Sequence, residues 1–175
     1  MTDSLGQQVF APCVTIVEDP FLKKGLGSSA FDGEGVATQL RTVVDAGVLN
    51  GYFLSSYSAR KLGMQTTGNA GGAHNLLVTP TASFDELLAE LGTGLLVTEL
   101  LGHGINMVTG DYSRGAAGFF WVENGKIQYP VEEITVAGNL RDIYQQIVGI
   151  GSDVLLSSSK RVGSVLIRKM TVAGV

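Results

Sequence analysis

The sequence predicts an α+β fold, namely a predominantly antiparallel, sandwich-like β-sheet domain with two short packing helices and Gly-rich turns. Glycine supplies 24 of 175 residues, about twice the usual share of roughly 7%. Apolar residues continue through every glycine cluster, which indicates turns and bulges in a sheet rather than a flexible linker. No boundary interrupts this pattern, so we expect a single domain over 1–175. The glycine clusters lie at 25–35, 63–72, 92–118 and 138–151.

The first predicted helix begins after Pro80 and Thr81. Ser83 and Glu86 have the spacing of a capping box, in which each side chain satisfies a free backbone N–H. Gly92 stands where a left-handed C-terminal cap is expected. The apolar side of this helix consists of Leu87, Leu88 and Leu91.

The second predicted helix runs from about Leu140 to Val148, with Asn139 as its N-cap. A further short helical turn is expected at Ser58–Leu62, ended by Gly63. The second helix would present one apolar face made of Leu140, Ile143, Tyr144, Ile147 and Val148.

Two hairpins form a weak internal repeat. Residues 44–49 and 122–127 share the order apolar, acidic, small or Asn, Gly, any, apolar, and each glycine can adopt a positive φ in a tight turn. A second echo, TVAG at 135–138 and again at 171–174, is short enough to arise by chance.

Composition excludes several classes of function. A net charge of -4 lacks the basic excess that phosphate backbones require, so nucleic acid is not an expected direct ligand. No apolar run reaches the ~18 residues of a membrane helix, and the first ten residues do not resemble a secretion signal. The single cysteine, Cys13, excludes an internal disulfide and a multi-cysteine zinc site. We therefore expect a cytoplasmic protein.

Three polar segments have structural interpretations. Gly25–Ala30 spells G-x-G-x-x-A, but neither the strand nor the helix of a dinucleotide site flanks it, so a turn is expected. Asp32 and Glu34 are interpreted as solvated turn carboxylates. His74 is interpreted as a hydrogen-bonded structural histidine rather than a catalytic one.

The most distinctive polar stretch extends from Gly102 to Pro130. It contains five candidate residues of a substrate cleft, which would line the cleft or fix the turn beside it. The glycines flanking the histidine leave the backbone open to a ligand. The five candidates are His103, Asn106, Asp111, Ser113 and Arg114.

Neither a serine triad nor a zinc centre is established by spacing. His103, Asp111 and Ser113 include the residue types of a triad, yet no G-x-S-x-G elbow surrounds a serine. His74 and His103 are far apart in sequence, and H-E-x-x-H is absent. We therefore expect no catalytic residue and no metal ligand in this chain.

Several segments, in order, resemble the C-terminal part of the PmbA/TldD family, and the wording of the last two is closer to the PmbA branch, also called TldE. The likeness covers essentially the whole chain from about Leu5. The segments are GLGSSAFDGEG at 25–35, YSARKLG at 57–63 with TGN at 67–69, VTGDYSRGAAG at 108–118, and VENGKIQYPVEEITVAGNL at 122–140.

The resemblance implies a cytosolic proteolytic system in which TldD and PmbA/TldE subunits pair and cleave peptides or unfolded proteins. It also implies links to peptide-antibiotic maturation, antitoxin degradation and modulation of DNA gyrase. In the TldD branch, an H-E-x-x-x-H helix and a late cysteine hold zinc. This chain lacks that helix. Where the cysteine is expected, it has the serine-rich run 157–164, and Cys13 matches no ligand position.

The leading hypothesis is therefore the C-terminal domain of a PmbA/TldE-like subunit that is itself non-catalytic. Its expected partners are a TldD-like subunit holding the zinc, or a second copy, together with a peptide or unfolded-protein substrate. One alternative is an architectural, dimerising or peptide-binding β-domain. The other is a metal-independent hydrolase that uses His103 with Ser113 or Asp111.

Overall fold

The computed structural model describes residues 3–174. Within this range the chain forms three short helices and twelve strands, mostly paired antiparallel, which confirms the α+β prediction. The helices are α1 (Ser56–Leu62), α2 (Phe84–Leu91) and α3 (Leu140–Gln145). The strands are β1 (Ile16–Asp19), β2 (Arg41–Asp45), β3 (Val48–Leu49), β4 (Asn75–Val78), β5 (Gly94–Leu100), β6 (Asp111–Glu123), β7 (Lys126–Val131), β8 (Thr135–Asn139), β9 (Ile147–Ile150), β10 (Lys160–Arg161), β11 (Val165–Ile167) and β12 (Thr171–Ala173).

The first sheet has the strand order β10-β4-β1-β2-β3. Its β10–β4 pair is parallel, and the other described pairs are antiparallel. The predicted hairpin at 44–49 is present, since Val44 pairs with Leu49 across a turn whose Ala46 and Gly47 have φ of 45° and 82°. Positive φ at both positions is the backbone signature of a type I′ turn.

The second large sheet is built around β6, which changes partners along its 13 residues. Its first part, 111–115, pairs with β8, while its later part pairs with β5 and β7. The other predicted hairpin forms the β6–β7 turn, in which Asn124 and Gly125 have φ of 52° and 70°. On the far side of β8 lies β12, so the two TVAG segments pair with each other. A separate two-stranded ladder joins β9 and β11.

The helix boundaries match the predicted caps except at two C-terminal ends. Ser83 and Glu86 form the capping box of α2, and Gly63 ends α1 in the left-handed conformation. The left-handed cap predicted at Gly92 is wrong, because Gly92 caps α2 with φ of 61° and ψ of -77°, outside the left-handed helical conformation. The prediction that the second helix reaches Val148 is wrong as well, because α3 ends at Gln145 and the following Ile-Val-Gly-Ile pairs with β11. Two of these four residues are β-branched isoleucines and a third is valine, which favours a strand. None of the described helices is both long and apolar enough to span a bilayer.

A buried apolar cluster joins the two halves of the chain. It contains Val14, Val43 and Val44 beside Ile150, which belongs to β9. The Phe10 and Tyr144 rings extend this contact, with centroids 4.7 Å apart. The sheet at the N-terminal end of the chain therefore packs directly on α3 and β9, which fixes the position of β8 and the strands beside it. Cys13 packs against this cluster with Ile16, Leu49, Val78 and Ile147.

Candidate functional site

The five candidate cleft residues lie in the loop between β5 and β6 and at the start of β6. Main-chain hydrogen bonds hold this loop, since the N–H of Ser113 donates to the carbonyl of Gly104 and that of Leu101 to the carbonyl of Gly115, both at 2.8 Å. A side chain at Gly104 would collide with the Ser113 carbonyl. The loop therefore requires glycine at this close approach of two backbones.

Asn106 and Asp111 belong to one hydrogen-bonded turn. The Asn106 Oδ1 accepts the N–H groups of Val108 at 2.9 Å and Thr109 at 3.2 Å. The Asp111 carboxylate accepts the Thr109 hydroxyl at 2.6 Å and the Asn139 amide at 3.3 Å. These bonds replace interactions that the turn backbone would otherwise make with water. Both candidates are exposed, but part of their hydrogen-bonding capacity is used within the turn.

Arg114 fastens the end of β5 to β6. Its Nη2 donates to the Leu100 carbonyl at 3.1 Å, and its Nε donates to the Leu101 carbonyl at 3.3 Å. The guanidinium thus satisfies two carbonyls at the point where β5 ends. This contact fixes the base of the loop.

His103 and Ser113 are exposed and do not assemble a triad with Asp111. Among residues 3–174, no hydrogen bond joins the side chains of these three residues. A nucleophile and its base need hydrogen-bond contact, with a third group orienting the base. The structure brings Asn106 and Asp111 together in one turn and leaves His103 outside that network.

The tip of the same loop is apolar and exposed. Met107 and Val108 are 85% and 95% exposed. Because Arg114 and Asn106 fix the base of the loop, these two side chains form a well-positioned apolar projection. Apolar projections of this kind are typical of protein contact sites.

A second polar cluster, not predicted from the sequence, surrounds Glu18 on β1. The Glu18 side chain is 1% exposed and accepts the Arg41 Nε and the Asn69 Nδ2, both at 2.7 Å. The same carboxylate faces the backbone N–H and the Nδ1 of His74, both at 2.9 Å. Arg41 also donates to the carbonyl of Tyr52 and to the side chain of Asn69. His74 is hydrogen-bonded, as predicted.

The hydrogen bonds around Glu18 outweigh the effect of its burial. Burial by itself raises the pKa of the carboxyl, but the His74 backbone N–H and the side chains of Arg41, His74 and Asn69 lower it, and the net pKa lies below the ordinary value. Glu18 is therefore held as a carboxylate. The sequence signal for it was an acidic residue directly after the β-branched run Thr-Ile-Val.

The interpretation of Asp32 as a solvated carboxylate is wrong. Asp32 is 7% exposed and accepts the backbone N–H groups of Ala70, Glu34 and Val36 at 2.9–3.0 Å. The Ala70 N–H is the main reason that its pKa lies below the ordinary value. Glu34 is exposed, as predicted, and it accepts the N–H of Ser56 at the start of α1.

The serine-rich segment 157–164, where the resemblance led us to expect a cysteine, lies beside the Glu18 cluster. The Lys160 Nζ donates to the carbonyls of Ala73 and His74 at 3.0 Å, and the Ser159 carbonyl accepts the N–H of Leu76. Cys13 lies elsewhere, packed against the buried apolar cluster, and its thiol faces the Ile147 carbonyl at 3.5 Å. Within residues 3–174, no three His, Cys, Asp or Glu side chains are placed to hold a metal ion.

Comparison with known proteins identifies the family. The model of the PmbA/TldA metallopeptidase C-terminal domain matches residues 1–174. The chain belongs to the PmbA/TldD family. It is 54% identical to the metalloprotease PmbA of Escherichia coli O157:H7 and 51% identical to a PmbA homologue of Haemophilus influenzae, in both cases over 99% of this chain and 39% of the relative. A TldD homologue of H. influenzae is 29% identical over 83% of this chain and 33% of the relative. The similarity places the chain in the PmbA branch.

Solved structures share the fold. A Thermotoga maritima protein described as a candidate modulator of a DNA gyrase superposes with a TM-score of 0.89 and 41% identity, over 98% of this chain and 41% of that chain. TldE of Thermococcus kodakarensis superposes with a TM-score of 0.85 over 98% of this chain and 42% of that chain, at 22% identity, which shows the fold alone. The PmbA/TldD domain described here spans about two fifths of the length of these relatives.

Proposed function

We propose that this chain is the C-terminal domain of a PmbA/TldE-type subunit. It forms one domain and supplies contact surface to a TldD/TldE-type zinc metallopeptidase that acts in the cytoplasm on peptides or unfolded proteins. The zinc belongs to the TldD-type partner, and this chain supplies no ligand to it. Membership of a metallopeptidase family supports the assembly. The serine-rich segment and the core position of Cys13 support the assignment of the metal to the partner.

The exposed loop tip carries the proposal. Met107 and Val108 are almost fully exposed, while Arg114 and the Asn106 turn fix the base beneath them. Burying such side chains against a partner releases about 25 cal/mol per Å² of apolar surface. Because the loop base is already fixed, little conformational entropy is lost on association. We assign this tip to the contact with the TldD-type subunit.

The polar candidates have separate roles in this proposal. Asn106, Asp111 and Arg114 hold the loop, whereas His103 and Ser113 keep exposed side chains that line the cleft between the subunits. An extended substrate is bound there through main-chain hydrogen bonds, as in strand addition. An effect on DNA gyrase would act through protein contact, because the net charge of -4 does not favour DNA.

Association with a zinc-loaded TldD-type subunit tests the proposal. The Met107→Ser/Val108→Ser variant is compared with the wild type by light scattering after gel filtration and by titration calorimetry. A matched control is Leu155→Ser/Leu156→Ser, which changes two residues that are 74% and 66% exposed elsewhere on the surface. We expect the loop variant to bind at least about tenfold more weakly, a loss of roughly 1.4 kcal/mol, and the control to bind as the wild type does. A wild-type chain that binds no TldD-type subunit would contradict the proposal.

A further inference from the structure

The outermost strand of the second sheet is short and exposed. β12 contains three residues, all of them exposed, and it pairs with β8 at the sheet edge. Val172 at its centre is 50% exposed, whereas Val136 opposite it on β8 is 5% exposed. Edge strands with few buried contacts open at low free energy compared with the core. β12 is therefore the weakly held member of a pair whose other member is well packed.

The pair is symmetric in sequence. Thr171 lies opposite Ala137, Val172 opposite Val136, and Ala173 opposite Thr135. Because TVAG occurs in both strands, β8 is matched to a strand whose central residue is β-branched and whose neighbours are small or hydroxylic. Cross-strand pairs of β-branched residues stabilise antiparallel ladders.

The ladder ends beside a cavity. Thr171 is the first paired residue of β12, and the residues before it pass a depression of about 270 Å³ at the junction of β8 with α3. Gly138 and Asn139, which continue β8, border this cavity and extend past the last pair with β12. The remaining lining comes from Ala137, Asp142, Ile143, Gln146, Lys169, Met170 and Thr171.

We propose that the outer edge of β8, together with this cavity, is a binding site for an extended peptide segment, and that β12 is its built-in occupant. The preferred segment is uncharged, has a β-branched residue at the centre, and carries a long side chain at the position of Met170, which lines the cavity. An incoming segment displaces β12 and makes the same main-chain ladder with β8. The inference rests on the proposed peptide-binding function and names the edge at which the peptide is held.

The location suits that function. β8 pairs directly with the part of β6 that carries Asp111, Ser113 and Arg114. A peptide in place of β12 lies two strand spacings, about 10 Å, from β6. The segment is thus held in the same sheet as the candidate cleft residues, and β12 keeps the site closed until it is displaced.

The test weakens the pairing of β12 with β8 in the full chain, so that the outer edge of β8 becomes accessible. Successive N–H groups of a strand alternate between its two edges, so the double variant Thr171→Pro/Val172→Pro removes one that faces β8. The matched control, Thr171→Val/Val172→Thr, keeps every N–H and the β-branched side chains. The probe is an uncharged fluorescent peptide with the sequence of residues 170–174, and its control carries the same two prolines. Binding is measured by fluorescence anisotropy.

We expect the double-proline variant to bind the probe at least about tenfold more tightly than the wild type, and neither the control variant nor the control peptide to show this gain. Equal, weak binding of the probe by the double-proline variant and the control variant would overturn the proposal. Self-association of the double-proline variant that the probe does not reverse would also overturn it. If circular dichroism shows the variant to be unfolded, a chain ending at Met170 replaces it, and unfolding of both would also contradict a displaceable β12. If the double-proline variant does not bind the probe but the chain still associates with a TldD-type subunit, this inference alone is contradicted. If the variant binds the probe but the chain does not associate with a TldD-type subunit, the proposed function is contradicted.

Discussion

Glu18 and His74 are joined twice, because one oxygen of the buried carboxylate accepts the His74 backbone N–H and also faces the His74 Nδ1, both at 2.9 Å. This connection fixes the loop before β4 to β1. Arg41 and Asn69 bind the same carboxylate from β2 and from the loop itself. Glu18 is thus the point at which two strands and a Gly-rich loop are fastened together.

We expect Glu18→Ala to lower the free energy of unfolding by about 3 kcal/mol, because it leaves the Arg41 guanidinium and the Asn69 amide without their buried acceptor. Urea unfolding followed by circular dichroism measures the change. Glu99→Ala, which removes an exposed glutamate of β5, serves as the control and should change stability by less than about 0.5 kcal/mol. Equal effects of the two substitutions would show that the Glu18 cluster contributes no specific stability.

Stability should fall in acid because Glu18 and Asp32 have lowered pKa values in the folded chain. Since the unfolded chain takes up protons at a higher pH than the folded one, the stabilisation is complete above the ordinary pKa values of 4.5 and 3.8 and is lost as the pH falls through the lower folded values. Unfolding free energies measured from neutral pH down to about pH 3 should show this decline. Asp32→Asn should be less stable at neutral pH and show a smaller decline, and an unchanged slope would contradict the role of Asp32.

Two glycines with similar φ should differ in their tolerance of alanine. Gly47 and Gly35 have φ of 82° and 78°, so both substitutions impose left-handed strain of about 1–2 kcal/mol. A Cβ at Gly47 would also collide with the Phe10 and Ala11 carbonyls, whereas nothing lies within 4 Å of one at Gly35. We expect Gly47→Ala to destabilise by about 1–3 kcal/mol more than Gly35→Ala in thermal unfolding. Equal losses would contradict the packing of the β2–β3 turn.

His103→Ala should lower peptide hydrolysis by the assembled TldD-containing complex only several-fold and not abolish it, because His103 lines the proposed cleft but makes no triad with Ser113 and Asp111 among the described residues. The rate is followed with a fluorogenic unfolded-protein substrate. Abolition of hydrolysis without loss of subunit association would instead support the metal-independent hydrolase.

The parts of the fold that follow local rules were predictable from the sequence. Ser83 and Glu86 specify the start of α2, and the turn glycines Gly47 and Gly125 specify two hairpins, because capping and positive φ depend on residues close in the chain. The end of α3 was not predictable in this way. Ile147 and Val148 fit a helical face as well as a strand, and pairing with β11, distant in sequence, decides between them.

The polar network around Glu18 shows the same limit for the candidate site. His74 lies 56 positions from Glu18 and Asn69 lies 51 positions away, so no local spacing signals their contact. Asp32 was misinterpreted for a related reason. The Ala70 N–H that donates to its carboxylate belongs to a different loop. The polar cluster at 103–114 could be found from the sequence because its residues are close together in the chain. The contact of Asp111 with Asn139 of β8 could not be predicted in this way, because the two residues are distant in sequence.

The zinc content of the purified chain, measured by inductively coupled plasma mass spectrometry after dialysis against zinc, shows whether this chain itself holds the metal. We expect far less than one zinc ion per chain, with stoichiometric zinc recovered only when the TldD-type subunit is present. A full equivalent of tightly bound zinc on this chain alone would contradict its assignment as the non-catalytic member of the pair.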